Sequence, residues 1–149
     1  MKFSQIFTMV LVLLLSSISV TGQLNLNLEE FKCLTKDYDC YARALTVKIN
    51  KDQKDYASLY WRGWIFAHWG NFEKAIVDFD KTIKLKPSLS RPIFSRGRSY
   101  GYLKKHELAI KDYDAVLKLD KQNSEAYLNQ GMNYESLNRL EKSKRNYLK

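Results

Sequence analysis

The side chains best suited to nucleophilic, acid–base or metal chemistry in this sequence are two cysteines, Cys33 and Cys40, and two histidines, His68 and His106. A structural zinc site needs four ligands, and two cysteines seven residues apart with no nearby histidine supply half of that set. His68 and His106 have around them no metal-ligand spacing, no glycine-rich phosphate loop and no nucleophile elbow. The sequence therefore predicts no catalytic residue, no metal and no cofactor. The cysteines can instead pair with each other. On one continuous helix their Cα atoms would lie about 10 Å apart along the axis, beyond the ~7 Å limit for a disulfide. A bond thus requires a bend, and Thr35, Asp37 and Asp39 between them offer turn and N-cap chemistry for a short helical hairpin. Closing so small a loop contributes on the order of 2 to 3 kcal/mol. Two buried free thiols are the other reading.

The compartment decides whether such thiols oxidise, and the N-terminus bears on the compartment. Met1-Lys2 is a minimal positive region, Ile6 to Leu15 is apolar except for Thr8, and Ser16 to Gly22 is small and polar. With Val20 and Gly22 before Gln23 at cleavage-site positions, residues 1–22 read as a signal peptide. Export to a periplasm, a secretory lumen or the outside follows, and the two cysteines are then expected to form a disulfide. The rival is an uncleaved membrane anchor, since Phe3 to Val20 is close to the shortest span that crosses a bilayer.

A chain of 149 residues that is 45% apolar is one globular domain with a real core. Its net charge of +9, from 25 Lys plus Arg against 16 Asp plus Glu, draws acidic peptides, anionic lipid and nucleic acid alike at long range. The densest basic stretch, Lys142, Lys144 and Arg145, is interleaved with Glu141 and Ser143 in the manner of a solvated helix face. Nucleic acid is accordingly not an expected partner.

The elements that position these residues repeat. "RGWIFAHWGNFEKAIVDFDKTIKLKP" from Arg62 is echoed by "RGRSYGYLKKHELAIKDYDAVLKLDK" from Arg96. At a shift of 34, Arg62-Gly63 falls on Arg96-Gly97 and Gln130-Gly131, and Phe66 on Tyr100 and Tyr134. Likewise Ala75 falls on Ala109 and Ser143, Asp78 on Asp112 and Asn146, and Phe79 on Tyr113 and Tyr147. A period of this length across so many columns marks stacked structural units. Each unit carries two apolar patterns of helical spacing, the first through Leu59, Gly63 and Phe66, the second through Ala75, Ile76, Phe79 and Ile83. Gly70-Asn71 separates them and Pro87 ends the second. Mid-helix glycine costs about 1 kcal/mol against alanine, so Gly63, Gly97 and Gly131 call for a close helix crossing. The expected partner at that crossing is Ala75 or Ala109, with the rings of Phe66, Tyr100, Phe79 and Tyr113 filling the space beside it.

These columns resemble the tetratricopeptide repeat, a helix–turn–helix unit with aromatic, Gly, Ala and Pro signature positions. The resemblance implies an all-α fold, a short α-solenoid, with repeats over 56–89, 90–123 and an incomplete 124–149, preceded by N-terminal capping helices in 23–55 that hold Cys33 and Cys40. Within that cap, "YARALTVKINKD" from Tyr41 reads as the tail of a second helix, with Ile49 in the place of Leu85 at a shift of 36. Departures from the pattern are Leu59, Ile93 and Tyr127 at the usual Trp position, Lys121 in place of the terminal Pro, and Lys104-Lys105 in place of Gly-Asn. The family's members are as a rule non-catalytic binding modules that hold a peptide in a groove formed by the first helices. By that resemblance the peptide-binding residues here are Tyr60, Trp64, Arg91, Phe94, Arg98 and Met132. Tyr60 and Trp64 occupy the places where one class of these arrays puts a carboxylate-clamping Lys and Asn, so that clamp is absent. The expectation is an exported adaptor that takes a protein or peptide ligand of mixed apolar and acidic character. Trp64 and Phe94 are alternatively packing residues between units. The competing function is a basic protein resting on an anionic membrane surface, or a structural protein that self-assembles into a homo-oligomer through its C-terminal repeat.

Overall fold

The computed structural model describes residues 38–147, which form seven helices and no strand. In order they are α1 (Tyr38–Lys51), α2 (Tyr56–His68), α3 (Phe72–Leu85), α4 (Ser90–Tyr102), α5 (His106–Leu119), α6 (Ser124–Ser136) and α7 (Leu140–Tyr147). Each packs against the next, and the first helices of successive units also touch, α2 on α4 and α4 on α6. The all-α solenoid of helix–turn–helix units is therefore the architecture. The expected signal segment 1–22, the first part of the cap and Cys33 lie outside the described residues.

Two of the first helices, α2 and α6, are started by short polar side chains. The Asp55 carboxylate accepts from the Ser58 amide at 3.0 Å and from the Ser58 hydroxyl at 2.6 Å, capping α2. One repeat length further on, α4 begins after Leu89 without a side-chain cap, but Pro92 stands in its first turn, where a backbone N–H would have no intrahelical partner. Asn123 caps α6 by accepting from the Ala126 amide at 2.9 Å.

The turns inside the three units share one geometry in spite of different sequences. Gly70, Lys104 and Asn138 have φ of 77°, 58° and 57°. In each, the amide of the following residue returns to the last turn of the first helix: Asn71 to the Phe66 carbonyl, Lys105 to that of Tyr100, and Arg139 to that of Tyr134, all within 2.9 Å. These are Schellman closures. Lys104 thus takes up a left-handed conformation that glycine would adopt without steric cost. Between units a similar substitution holds. Lys86 precedes Pro87 with φ −140° and ψ 74°, whereas Asp120, followed by Lys121, reaches φ −139° and ψ 96° and uses its carboxylate to accept from the Gln122 amide at 3.1 Å. An Asx turn does there what the missing proline would do.

The glycines lie at the crossings of the two helices of each unit, but their partner is not the alanine. A Cβ on Gly63 would stand 2.9 Å from Phe79 Cε1 and 3.1 Å from Asp78 Cβ, and one on Gly97 would stand 3.1 Å from both Asp112 Cβ and Tyr113 Cε1. Ala75 and Ala109 are fully buried a turn away. The crossing is thus made by a ring packed against the bare backbone, which explains why a ring occupies positions 79, 113 and 147. Phe66 and Tyr100 serve elsewhere, beneath the guanidinium groups of Arg62 and Arg96 at 5.8 and 5.9 Å.

Beside each crossing runs a polar ladder. Arg62 donates Nε and Nη2 to both carboxylate oxygens of Asp78 at 2.8 Å, and Nη1 to the Thr46 hydroxyl at 3.0 Å. Arg96 makes the same fork to Asp112 at 2.9 and 2.6 Å and reaches back to Asp80 at 2.6 Å. Gln130 donates to Asp114 at 2.7 Å and accepts from Asn146 at 2.6 Å. Every rung spans sixteen residues, forward within the unit and backward to the unit before. The carboxylates facing forward are nearly sealed, with Asp78 at 1% exposure and Asp112 at 7%. Burial pushes the Asp112 carboxyl up against the pull of Arg96, while the hydrogen bonds from Arg96 to Asp112 hold that guanidinium charged well beyond its ordinary range.

The ladder also corrects the register of the cap. Thr46 stands where Asp80 and Asp114 stand, and α1 begins and ends 34 residues before α3. Ile49 therefore corresponds to Ile83, not to Leu85.

A double-mutant cycle on Arg96→Ala and Asp112→Ala, followed by chemical denaturation, is expected to return a coupling of about 1 to 3 kcal/mol. Lys104→Gly should stabilise the array by about 0.5 to 1 kcal/mol and Gly70→Ala destabilise it by a similar amount, read as opposite shifts of the thermal midpoint.

Candidate functional site

Amphipathic helices stacked in this way leave the outer faces of α2, α4 and α6 side by side. Two adjoining hollows lie between them. The first, of about 350 Å³, is bordered by Trp64, Ala67 and His68 of α2, Phe72 and Phe79 of α3, and Ser95, Arg98 and Tyr102 of α4. The second, of about 460 Å³, runs from Phe94, Arg98 and Tyr102 of α4 to Leu128, Met132 and Asn133 of α6, with His106 and Tyr113 of α5 behind. Arg98 and Tyr102 form the wall that both hollows share.

Aromatic stacking fixes the rims. Trp64 and His68 are one helical turn apart and lie parallel, with ring centroids 5.3 Å apart and 9° between the planes. Phe72, which opens α3, stacks on Tyr102, which closes α4, at 4.7 Å and 9°. That contact crosses the boundary between two units and supplies one side of the shared wall. In the second hollow the floor is polar and ordered. The Asn133 amide donates to the Asn129 carbonyl at 2.7 Å, so its oxygen receives Nδ1–H of His106 at 2.9 Å. A side chain at Gly101 would press on that amide at 3.3 Å, which is why the wall is bare there.

The charged member is Arg98. Arg62 and Arg96 are committed to the ladder and Arg139 reaches Glu107 at 2.7 Å. Arg98 makes no hydrogen bond or ion pair among the described residues, and it is exposed between two aromatic rims. Such an exposed guanidinium, with its donors uncommitted among the described residues, is suited to a carboxylate carried on an otherwise apolar segment. No group of three or more His, Cys, Asp or Glu among the described residues could hold a metal ion. No described helix is long and apolar enough to cross a membrane.

Of the residues that the sequence points to, Trp64 and Arg98 meet in the first hollow, and Phe94, Arg98 and Met132 in the second. Phe94 also packs inward, its ring 5.7 Å from that of buried Tyr113, but this contact lies within its own unit and not between units as the packing alternative had it. Tyr60 and Arg91 border neither hollow. Tyr60 is half-buried between Trp61 at 5.3 Å and Phe79 at 6.0 Å, and Arg91 is exposed on the first turn of α4. Phe72, His106 and Tyr102 were missed. Positions 72 and 106 open second helices, and their period of 34 was visible in the sequence.

Residues 56–89, 91–123 and 124–149 match a family model described as tetratricopeptide repeat. Comparison with curated protein sequences finds no match. Among solved structures, this chain is similar to a crystal structure of MamA, with a TM-score of 0.77, 19% identity, and coverage of 84% of this chain and 73% of that one. MamA residues 41 to the end from Desulfovibrio magneticus RS-1 gives a TM-score of 0.72 and 26% identity over 77% of this chain and 66% of that one. A second MamA crystal structure gives 0.72 and 17% over 74% and 61%.

Asn133→Ala should lower stability by about 1 to 2 kcal/mol, because it strips the His106 ring of its partner, and Asn133→Asp, which keeps an acceptor for His106 but has no donor for the Asn129 carbonyl, should recover only part of that loss. Chemical denaturation of the two variants checks this.

Proposed function

Because the chain belongs to the tetratricopeptide repeat family, we propose that it is a protein-interaction module whose ligand is an extended peptide lying across α2, α4 and α6. Apolar side chains of the ligand enter the two hollows, one beside Trp64 and His68, the other between Phe94, Leu128 and Met132. An acidic side chain between them pairs with Arg98. The observation that carries this reading is the exposed guanidinium of Arg98, without an ion-pair partner among the described residues, on the wall common to both hollows. The surrounding charge of +9 supplies long-range attraction for such a ligand. Met132, about half exposed and with three rotatable bonds, adapts to ligands of different shape.

The N-terminal residues 1–22 serve in this reading as the export signal, and Cys33 and Cys40 are joined in the oxidising compartment beyond. The module then acts in a periplasm, a secretory lumen or outside the cell, on a partner found there.

Affinity capture from the native compartment with the full chain, followed by binding measurements on the captured partner, tests the proposal. Trp64→Ala and Arg98→Ala are each expected to weaken binding by about tenfold or more with unchanged circular dichroism. Binding that both variants retain in full overturns it. Binding to anionic vesicles that vanishes with added salt and ignores Trp64 would instead favour a membrane-surface role.

A further inference from the structure

The hollow between α4 and α6 is bordered by a carboxylate as well as by a guanidinium. Its border follows α6 from Glu125 in the first turn to Ser136 at the end. Several polar side chains along it are already engaged. The Asn129 amide donates to the Glu125 backbone carbonyl at 2.8 Å, the Asn133 amide to the Asn129 carbonyl at 2.7 Å, and the Ser136 hydroxyl to the Met132 carbonyl at 3.0 Å. His106 is held by the Asn133 oxygen. The two charged groups on the border, the guanidinium of Arg98 and the carboxylate of Glu125, are both exposed. Among the described residues neither makes a side-chain hydrogen bond or ion pair, and they do not pair with each other.

An anion in the first turn of a helix is favoured by the helix dipole, which accounts for an acidic residue at the start of α6. It does not account for a carboxylate on the border of an apolar hollow with no cation of the protein to meet it. Arg91, at the same position on α4, borders neither hollow and forms no ion pair with Glu125. The hollow therefore presents a positive group at one end, a negative group at the other, and the apolar side chains of Phe94, Leu128 and Met132 between them. A surface of this pattern selects a ligand of the reverse pattern, because a wrong sign at either end meets repulsion.

On the reading that an extended peptide lies across α4 and α6, we infer that its ligand segment carries a basic side chain for Glu125 in addition to the acidic one for Arg98. The helices set the spacing between the two. Arg98 is the ninth residue of α4 and Glu125 the second of α6, and the equivalent helices of successive units run the same way. Seven helical positions amount to roughly 10 Å along the axis, and neighbouring helices lie roughly 9 Å apart, so the two sites are about 13 Å from each other on the diagonal. An extended chain covers about 13 Å in four residues. Residues two apart point to the same side of such a chain, so the residue midway between acid and base also faces the protein and enters the apolar part of the hollow. With the apolar residue that sits beside Trp64, the recognised segment reads apolar, acid, apolar, base on alternate residues.

Fluorescence anisotropy at low ionic strength tests this on the full chain, with the end-blocked peptide Leu-Thr-Asp-Thr-Leu-Thr-Lys made in both chain directions. In the direction that binds more tightly, replacing the peptide's Lys by Gln should weaken binding about threefold, and replacing it by Glu about tenfold. Moving that Lys one residue further along, to the other side of the strand, should weaken binding as much as Gln does. Glu125→Lys should reverse the order, so that the peptide ending in Glu becomes the tightest, with circular dichroism unchanged. The milder Glu125→Gln should bring the Lys and Gln peptides to equal affinity, and Arg91→Ala should leave the order as it is. Equal binding of the Lys, Gln and Glu peptides by the unaltered protein overturns the inference. If Trp64→Ala and Arg98→Ala still weaken all three, the peptide groove stands without it. No binding by any of these peptides at millimolar concentration overturns the inference too, and a captured partner whose binding depends on Trp64 and Arg98 then keeps the groove.

Discussion

Each first helix carries at one position a side chain that grips two others, sixteen residues behind and sixteen ahead. Arg62, Arg96 and Gln130 thereby bind a first helix simultaneously to its own partner and to the unit before it. Apolar burial drives the helices together, and the fit of Phe79 and Tyr113 against Gly63 and Gly97 already resists a slip along them, but a packed ring yields by tenths of an ångström where a hydrogen bond does not. A forked guanidinium at 2.6 to 2.9 Å from Asp112 is not so yielding. The price of a slip is a carboxylate left sealed from water without its cation.

This fixed register is what brings Phe72 of one unit onto Tyr102 of the next and sets Arg98 between two hollows. None of these residues belongs to the ladder, yet a displacement of a single turn would separate them. The committed arginines also free the uncommitted one. Because Arg96 is fully engaged on the inner side of α4, Arg98, two residues on, projects to the other side with its donors available.

Much of the fold was legible because two periods, one of 3.6 residues and one of 34, appear directly in the residue types. Gly63, Gly97 and Gly131 announced a close crossing, and the crossing is there. That Phe79 and Tyr113, rather than Ala75 and Ala109, fill it depends on the angle between helices, which no single position encodes. The turns at Lys104 and Asp120 departed from the family pattern for different reasons: lysine has no preference for the left-handed conformation that Lys104 takes up, whereas Asp120 forms its turn locally through its own carboxylate. For the candidate site, Trp64, Phe94, Arg98 and Met132 could be located by position within the first helix. Tyr102, Phe72 and His106 could not, since a hollow between units is bounded by residues far apart in the chain and depends on how steeply one unit is rotated onto the next.

The rungs are not chemically equal along the array. Toward the N-terminus the backward rung joins arginine to a hydroxyl, in the middle it joins arginine to a second carboxylate, and toward the C-terminus an amide takes the place of the cation. In a solenoid where each unit touches only its neighbours, the stiffness of the whole is distributed joint by joint. Among the described joints, only the one between the units 56–89 and 90–123 closes its backward rung with opposite charges, so added salt weakens that joint while leaving the hydroxyl and amide rungs on either side of it unchanged.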